Sequence, residues 1–185
     1  ASATPCAKLS GCARAGAVHY AALYGPAAGL DPEETERLVD AFFAKHPEVA
    51  AFAARVLAEC AERGFVATIL GRRRYVGGVE PGASRPRTAP EREALHAVVQ
   101  GSAADVIKLA LIRVARRLGI PGGESPPFPS ARLLALSRDE LLFEADAAEA
   151  GGLGEAVKAD MEGAYRLAVP LAVRVATGEN WGALS

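Results

Sequence analysis

Apolar residues recur at helical spacing through the first part of the chain. Leu38, Phe42 and Phe43 follow Leu30-Asp31-Pro32-Glu33-Glu34. There Asp31 suits an N-cap, Pro32 the first helical position, and the two acids the positive end of the helix dipole. His46-Pro47 breaks this pattern, and Val49, Phe52, Val56 and Leu57 restart it over 47–63, where Gly64 stops it. Upstream, 13–24 suits a helix ended by Gly25-Pro26, whereas 1–12 has no clear period.

Beyond Gly64 the period changes. Phe65 to Leu70 reads as a strand, and Gly71-Arg72-Arg73-Arg74-Tyr75 as a basic turn returning through a hairpin. A Gly/Pro-rich loop over 77–90 leads into a long helix from about Pro90 to Leu118. After a Pro/Gly/Ser loop over 119–130, two short apolar runs meet at Asp139-Glu140, which predicts a buried hairpin capped by the carboxylates. A helix interrupted early by glycines is expected over 149–168, and a last strand over 170–177. The pattern is α+β: helices with a small antiparallel sheet, no internal repeats and one core.

Composition adds limits. The chain has 185 residues, 50% of them hydrophobic, enough for one domain or part of a larger one. Its formal charge of −1 excludes an overall basic surface, so any nucleic-acid contact must come from local clusters. No apolar run reaches membrane-spanning length on this reading, and no membrane partner is expected. Cys6, Cys12 and Cys60 lack metal-ligand spacing and are expected to be free thiols in a reducing compartment.

Three clusters carry candidate chemistry. The carboxylates of Asp139 and Glu140 suit a hard divalent cation such as Mg2+; the plainer reading is an acidic turn. Arg72, Arg73 and Arg74 are the densest positive cluster, matched to phosphate oxygens or simply solvated. Arg92, His96 and Gln100 recur every four residues and share one face of the long helix. They could reach phosphates, sugars and base edges, or form only its wet side. Asp105 and Lys108 lie further along, spaced for an i, i+3 pair.

Taken together, these segments resemble family A DNA polymerases. Gln100-Gly-Ser-Ala-Ala-Asp-Val-Ile-Lys-Leu-Ala110 is similar to that family's long palm helix, and Gly71-Arg-Arg-Arg-Tyr-Val76 to its basic turn. Asp139-Glu140-Leu-Leu-Phe-Glu144 resembles motif C, and Tyr20-Ala-Ala-Leu-Tyr-Gly25 the end of motif B in the fingers. Pro170 to Val175 with Gly178-Glu-Asn-Trp181 resembles the closing strand and tail. The loop 122–130 and Tyr20 lean toward the theta and nu branch.

The resemblance implies a helical fingers segment plus a palm, and template-directed DNA synthesis by a two-cation mechanism. Asp139 would be catalytic and a Mg2+ ligand, with Glu140 beside it. Tyr20 and Tyr24 would contact the incoming nucleotide and the templating position. Arg72, Arg73, Arg74, Arg92, His96 and Gln100 would contact primer–template DNA. Deoxynucleoside triphosphates and primer–template are the implied partners. The implied location is intracellular: nucleus or organelle in a eukaryote, cytoplasm in a bacterium.

The departures set a second expectation. The family's motif A strand, with the other metal-binding aspartate, precedes motif B and has no match here, nor do a thumb or exonuclease domain. Where the family has its phosphate-binding lysine and arginine, this chain has Gly16 and Cys12; Arg138 replaces a usual His, and His96 an Asn. Residues 1–16 are therefore expected to be a ragged or non-native start, and 17–185 a single fingers–palm fragment. That fragment is expected to be incomplete as an enzyme. The alternative is an inactive polymerase-like module that binds DNA or a partner.

Overall fold

The computed structural model describes residues 32–80, 88–120, 126–137 and 139–184. They form two compact units, divided after Ser102, each with its own apolar core where the sequence pattern suggested one. Helix α3 (Ala89–Arg117) runs from one unit into the other, which is why the apolar pattern shows no break between them.

The first unit contains α1 (Pro32–Lys45), α2 (Pro47–Arg63), β1 (Phe65–Ala67), β2 (Arg73–Tyr75) and the start of α3. Gly64 ends α2 in the left-handed conformation, φ 73°, and its N–H donates to the Cys60 carbonyl at 2.8 Å. The chain then turns directly into an antiparallel hairpin in which Phe65 faces Tyr75, Val66 faces Arg74 and Ala67 faces Arg73. The strand expected to reach Leu70 stops at Ala67. Thr68 N–H donates to the Arg72 carbonyl and Gly71 N–H to the Thr68 carbonyl, so 68–72 is the turn, with Gly71 at φ 81°. The core joins Val56, Leu57 and Cys60 of α2 to Val66, Val76, Val79, Ala94 and Leu95. Cys60 is a free, buried thiol that donates to the Val76 carbonyl; burial pushes its pKa up, which makes it an inert packing group.

Helix α3 opens with a reciprocal cap. Thr88 N–H donates to Glu91 Oε2 at 2.7 Å, and Glu91 N–H to Thr88 Oγ1 at 3.4 Å. One window of this 29-residue helix does meet the length and composition of a membrane span, contrary to the expectation from the sequence. Part of its apolar side packs on protein, Ala94 and Leu95 in the first core and Val114 in the second, whereas Val99 and Ile112 are exposed.

The second unit has β3 (Arg132–Ser137), β4 (Glu140–Glu144), α4 (Ala147–Glu162) and a short 3-10 turn at Trp181–Ala183. Strands β3 and β4 pair antiparallel from Arg132↔Glu144 to Ser137↔Glu140, with an irregularity between Leu133 and Ala135. Leu133, Leu141 and Phe143 pack on a core of Val114, Leu118, Ala131, Leu153 and Val157.

Three expectations are corrected here. The hairpin is not buried at its tip: Leu136, Ser137, Asp139 and Glu140 are all exposed, and since consecutive strand residues point to opposite sides, both faces of the ribbon are clear of the core there. The helix expected at 149–168 runs 147–162 without interruption. Two of its glycines serve close packing: a Cβ on Gly152 would stand 3.2 Å from the Phe128 ring, and one on Gly154 2.9 Å from Val175. Residues 170–177 form no strand. The Val173 N–H instead donates to the Glu162 carboxylate at 3.0 Å, so this backbone is held by a side chain rather than by a ladder. Asp105 is buried and Lys108 exposed.

Candidate active site

In the first unit, the three arginines of the turn are exposed, and each has its own intramolecular partner. Arg72 Nη2 donates to the Gly101 carbonyl at 3.1 Å. Arg73 lies over the Phe65 ring, 4.7 Å from its centroid, and that ring meets Tyr75 edge-on at 5.7 Å. Arg74 donates twice to Glu93 Oε1, at 2.7 and 3.2 Å. The Arg74–Glu93 side chains are 64% and 48% exposed, so water screens this pair and it contributes little by itself.

Arg92, His96 and Gln100 are all exposed, as their spacing predicts. The positions that follow two of them, Glu93 and Gly101, meet the hairpin arginines. The hairpin therefore lies along one flank of the exposed stripe, within the same unit.

Several residues that hold this arrangement were not singled out in the sequence. Ser102 Oγ donates to the Val98 carbonyl at 2.6 Å and accepts the Ile69 N–H at 2.9 Å. Thr68 Oγ1 accepts the Arg72 N–H at 3.1 Å. Neither hydroxyl carries a sequence signal for these long-range bonds. Thr88 to Glu91 does carry one, as a four-residue capping box.

In the second unit, Ser137 pairs with Glu140, so only positions 138 and 139 connect the strands. Asp139 sits at this exposed turn and Glu140 begins β4. The donors are of the right kind for Mg2+, which is commonly held by one or two carboxylates together with waters and substrate phosphates. They are too few to fix an ion alone: among the described residues no group of three or more His, Cys, Asp or Glu forms a metal-sized cluster. The tip fits as one contributor to a shared cage. Tyr20, Tyr24, Gly16, Cys12 and Arg138 lie outside the described residues.

The chain as a whole is similar to known proteins. The model of DNA polymerase family A matches residues 14–183. The chain is 37% identical over 171 residues to the thermostable DNA polymerase I of Thermus aquaticus, covering 89% of this chain and 20% of that protein. For a thermostable DNA polymerase I of Thermus thermophilus the identity is 39% over 171 residues, with the same 89% and 20% coverage. For the DNA polymerase I of Mycobacterium tuberculosis it is 36% over 177 residues, 92% of this chain and 19% of that protein. Among solved structures, the chain is similar to the POL domain of Pol1 from M. smegmatis in complex with DNA primer-template and dNTP. That likeness has a TM-score of 0.70 at 34% identity, over 91% of this chain and 30% of the other. The chain thus spans about a fifth of the length of the curated relatives it matches.

Proposed function

The chain belongs to DNA polymerase family A, and from that membership we propose that the protein it represents adds deoxynucleotides to a primer under the direction of a template. The observation that carries this reading is the hairpin between β3 and β4, which presents Asp139 and Glu140 at an exposed turn within the matched segment 14–183. Both carboxylates stand in solvent at the end of a ribbon whose inner residues pack on the second core, open to an ion and its waters.

In this reading primer–template DNA and deoxynucleoside triphosphates are the partners, as in the M. smegmatis complex. Arg72, Arg73, Arg74 and Arg92 neutralise phosphates, and His96 and Gln100 face sugars or base edges. Tyr20 and Tyr24 contact the nucleotide and the templating position. Asp139 supplies an oxygen to Mg2+, with Glu140 beside it. When bound, a pair of such ions would activate the primer hydroxyl and neutralise the triphosphate. The remaining donors must come from residues other than those described. The protein acts inside the cell, where DNA is.

A second reading, an inactive DNA-binding or partner-binding module, is favoured by Gly16 and Cys12 at positions where the family carries cations. Primer extension by the longer protein that carries this segment distinguishes the two. Mg2+-dependent extension that Asp139→Asn abolishes, with duplex binding retained, supports the polymerase. Duplex binding with no extension in the parent supports the module.

A further inference from the structure

The turn of the first hairpin rests on α3 at a single spot. A Cβ built on Gly101 would stand 2.6 Å from Thr68 Cγ2 and 3.4 Å from Arg72 Nη2, so only glycine lets the turn seat here. One residue further on, Ser102 Oγ accepts the Ile69 N–H while donating to Val98. Thr68 in turn closes the loop by accepting the Arg72 N–H, which aims the Arg72 guanidinium at the Gly101 carbonyl. Arg74, at the other end of the hairpin's returning arm, reaches Glu93. Glu93 and Gly101 are about 12 Å apart along the helix axis, at 1.5 Å per residue. Over that length the exposed Arg92, His96 and Gln100 stand on the adjoining face.

We propose that Thr68, Gly101 and Ser102 form a latch that fixes the arginine hairpin against α3, so that Arg72–Arg74 and the stripe Arg92, His96 and Gln100 act as one preorganised nucleic-acid surface. Arg72 is then a positioning residue as much as a phosphate contact: its guanidinium holds the carbonyl next to Gln100. Released from the latch, three arginines on a free ribbon would lose their fixed register with the stripe, and ordering them on DNA would cost conformational entropy at each encounter. The consequence for binding rests on the nucleic-acid reading above; the latch itself rests only on the geometry.

The test uses the whole chain in four forms: parent, Gly101→Ala, Thr68→Ser with Gly101→Ala, and Ser102→Ala. Thr68→Ser removes the clashing methyl while keeping the hydroxyl that accepts the Arg72 N–H. Amide hydrogen exchange at Ile69 reads the latch without DNA. It is expected to speed up in Gly101→Ala and Ser102→Ala and to return to the parent rate in the double variant. Binding of a primer–template duplex against salt reads the consequence. Gly101→Ala is expected to flatten the slope of log affinity against log salt by about one to two, at roughly 0.9 per phosphate contact, and the double variant to restore it. Unchanged Ile69 exchange in Gly101→Ala and Ser102→Ala, or no recovery in the double variant, overturns the latch. Restored exchange without any effect on the slope overturns its role in binding. A parent that binds no duplex overturns the nucleic-acid reading while the exchange result still decides the latch.

Discussion

The guanidinium of Arg117, near the end of α3, forks onto the carboxylate of Asp160 on α4: Nε donates to Oδ2 at 2.5 Å and Nη2 to Oδ1 at 2.8 Å. This bidentate pair joins the two long helices of the second unit beside the core formed by Val114, Leu118, Leu153 and Val157. The hydrogen bond from Arg117, with the positive charges of Arg117 and Arg113, holds the Asp160 carboxyl below its usual range, against the opposing effect of burial.

A depressed carboxyl pKa gives the sign of a pH effect. Unfolded, Asp160 titrates near 3.9; folded, it titrates lower, so the folded chain holds the charged form more tightly. The pair therefore stabilises fully above about pH 4, and that contribution fades as pH falls through the folded value. Arg117 is 36% exposed, so solvent screens the pair and its removal is expected to cost about 1 kcal/mol. Chemical denaturation of Asp160→Asn against the parent checks this. The difference should be present at pH 7 and shrink toward pH 3; a difference constant with pH means the carboxylate's charge is not what holds the helices.

The capping box of α3 makes a second prediction. Glu91 is 2% exposed and joins Thr88 in a reciprocal cap. Thr88→Ala removes one partner and should cost about 1 kcal/mol. Glu91→Ala should cost more, about 2–3 kcal/mol, since it also leaves a buried cavity. Thermal melting of both variants measures the order; equal losses would show that burial of Glu91 adds nothing to the cap.

A third prediction concerns charge on the hairpin. Replacing Arg72, Arg73 and Arg74 together by Ala should flatten the salt dependence of duplex binding by up to about three, at roughly 0.9 per phosphate contact. Glu93→Gln, which frees Arg74 from its carboxylate partner, should strengthen binding at low salt. Binding isotherms at several salt concentrations decide both. An unchanged slope in the triple variant would make the cluster a solvated turn.

The chain alone is expected not to extend a primer with Mg2+. It spans about a fifth of its relatives, and the described residues hold no cluster of three metal-ligating side chains. Template-dependent extension by the purified chain, lost in Asp139→Ala, would overturn this.

The sequence by itself determined α1 and α2 and their stops, because apolar spacing and the Pro47 and Gly64 signals act over a few residues. It also determined the hairpin ending at Asp139-Glu140, the exposed face of Arg92, His96 and Gln100, and the family. These are local patterns, and local sterics and burial fix them without reference to distant chain. Only the tertiary structure decided what the arginines touch. Arg72 meets Gly101, and Arg74 meets Glu93, across long loops that no spacing rule connects. It likewise decided that glycines inside α4 support close packing against Phe128 and Val175 instead of breaking the helix. The segment 170–177 carries strand-like residues but no ladder, because a strand is a property of a pair. Exposure of the Asp139 tip had the same origin: the apolar runs on either side show that the ribbon packs somewhere, and only its placement on the core shows which face and how far along.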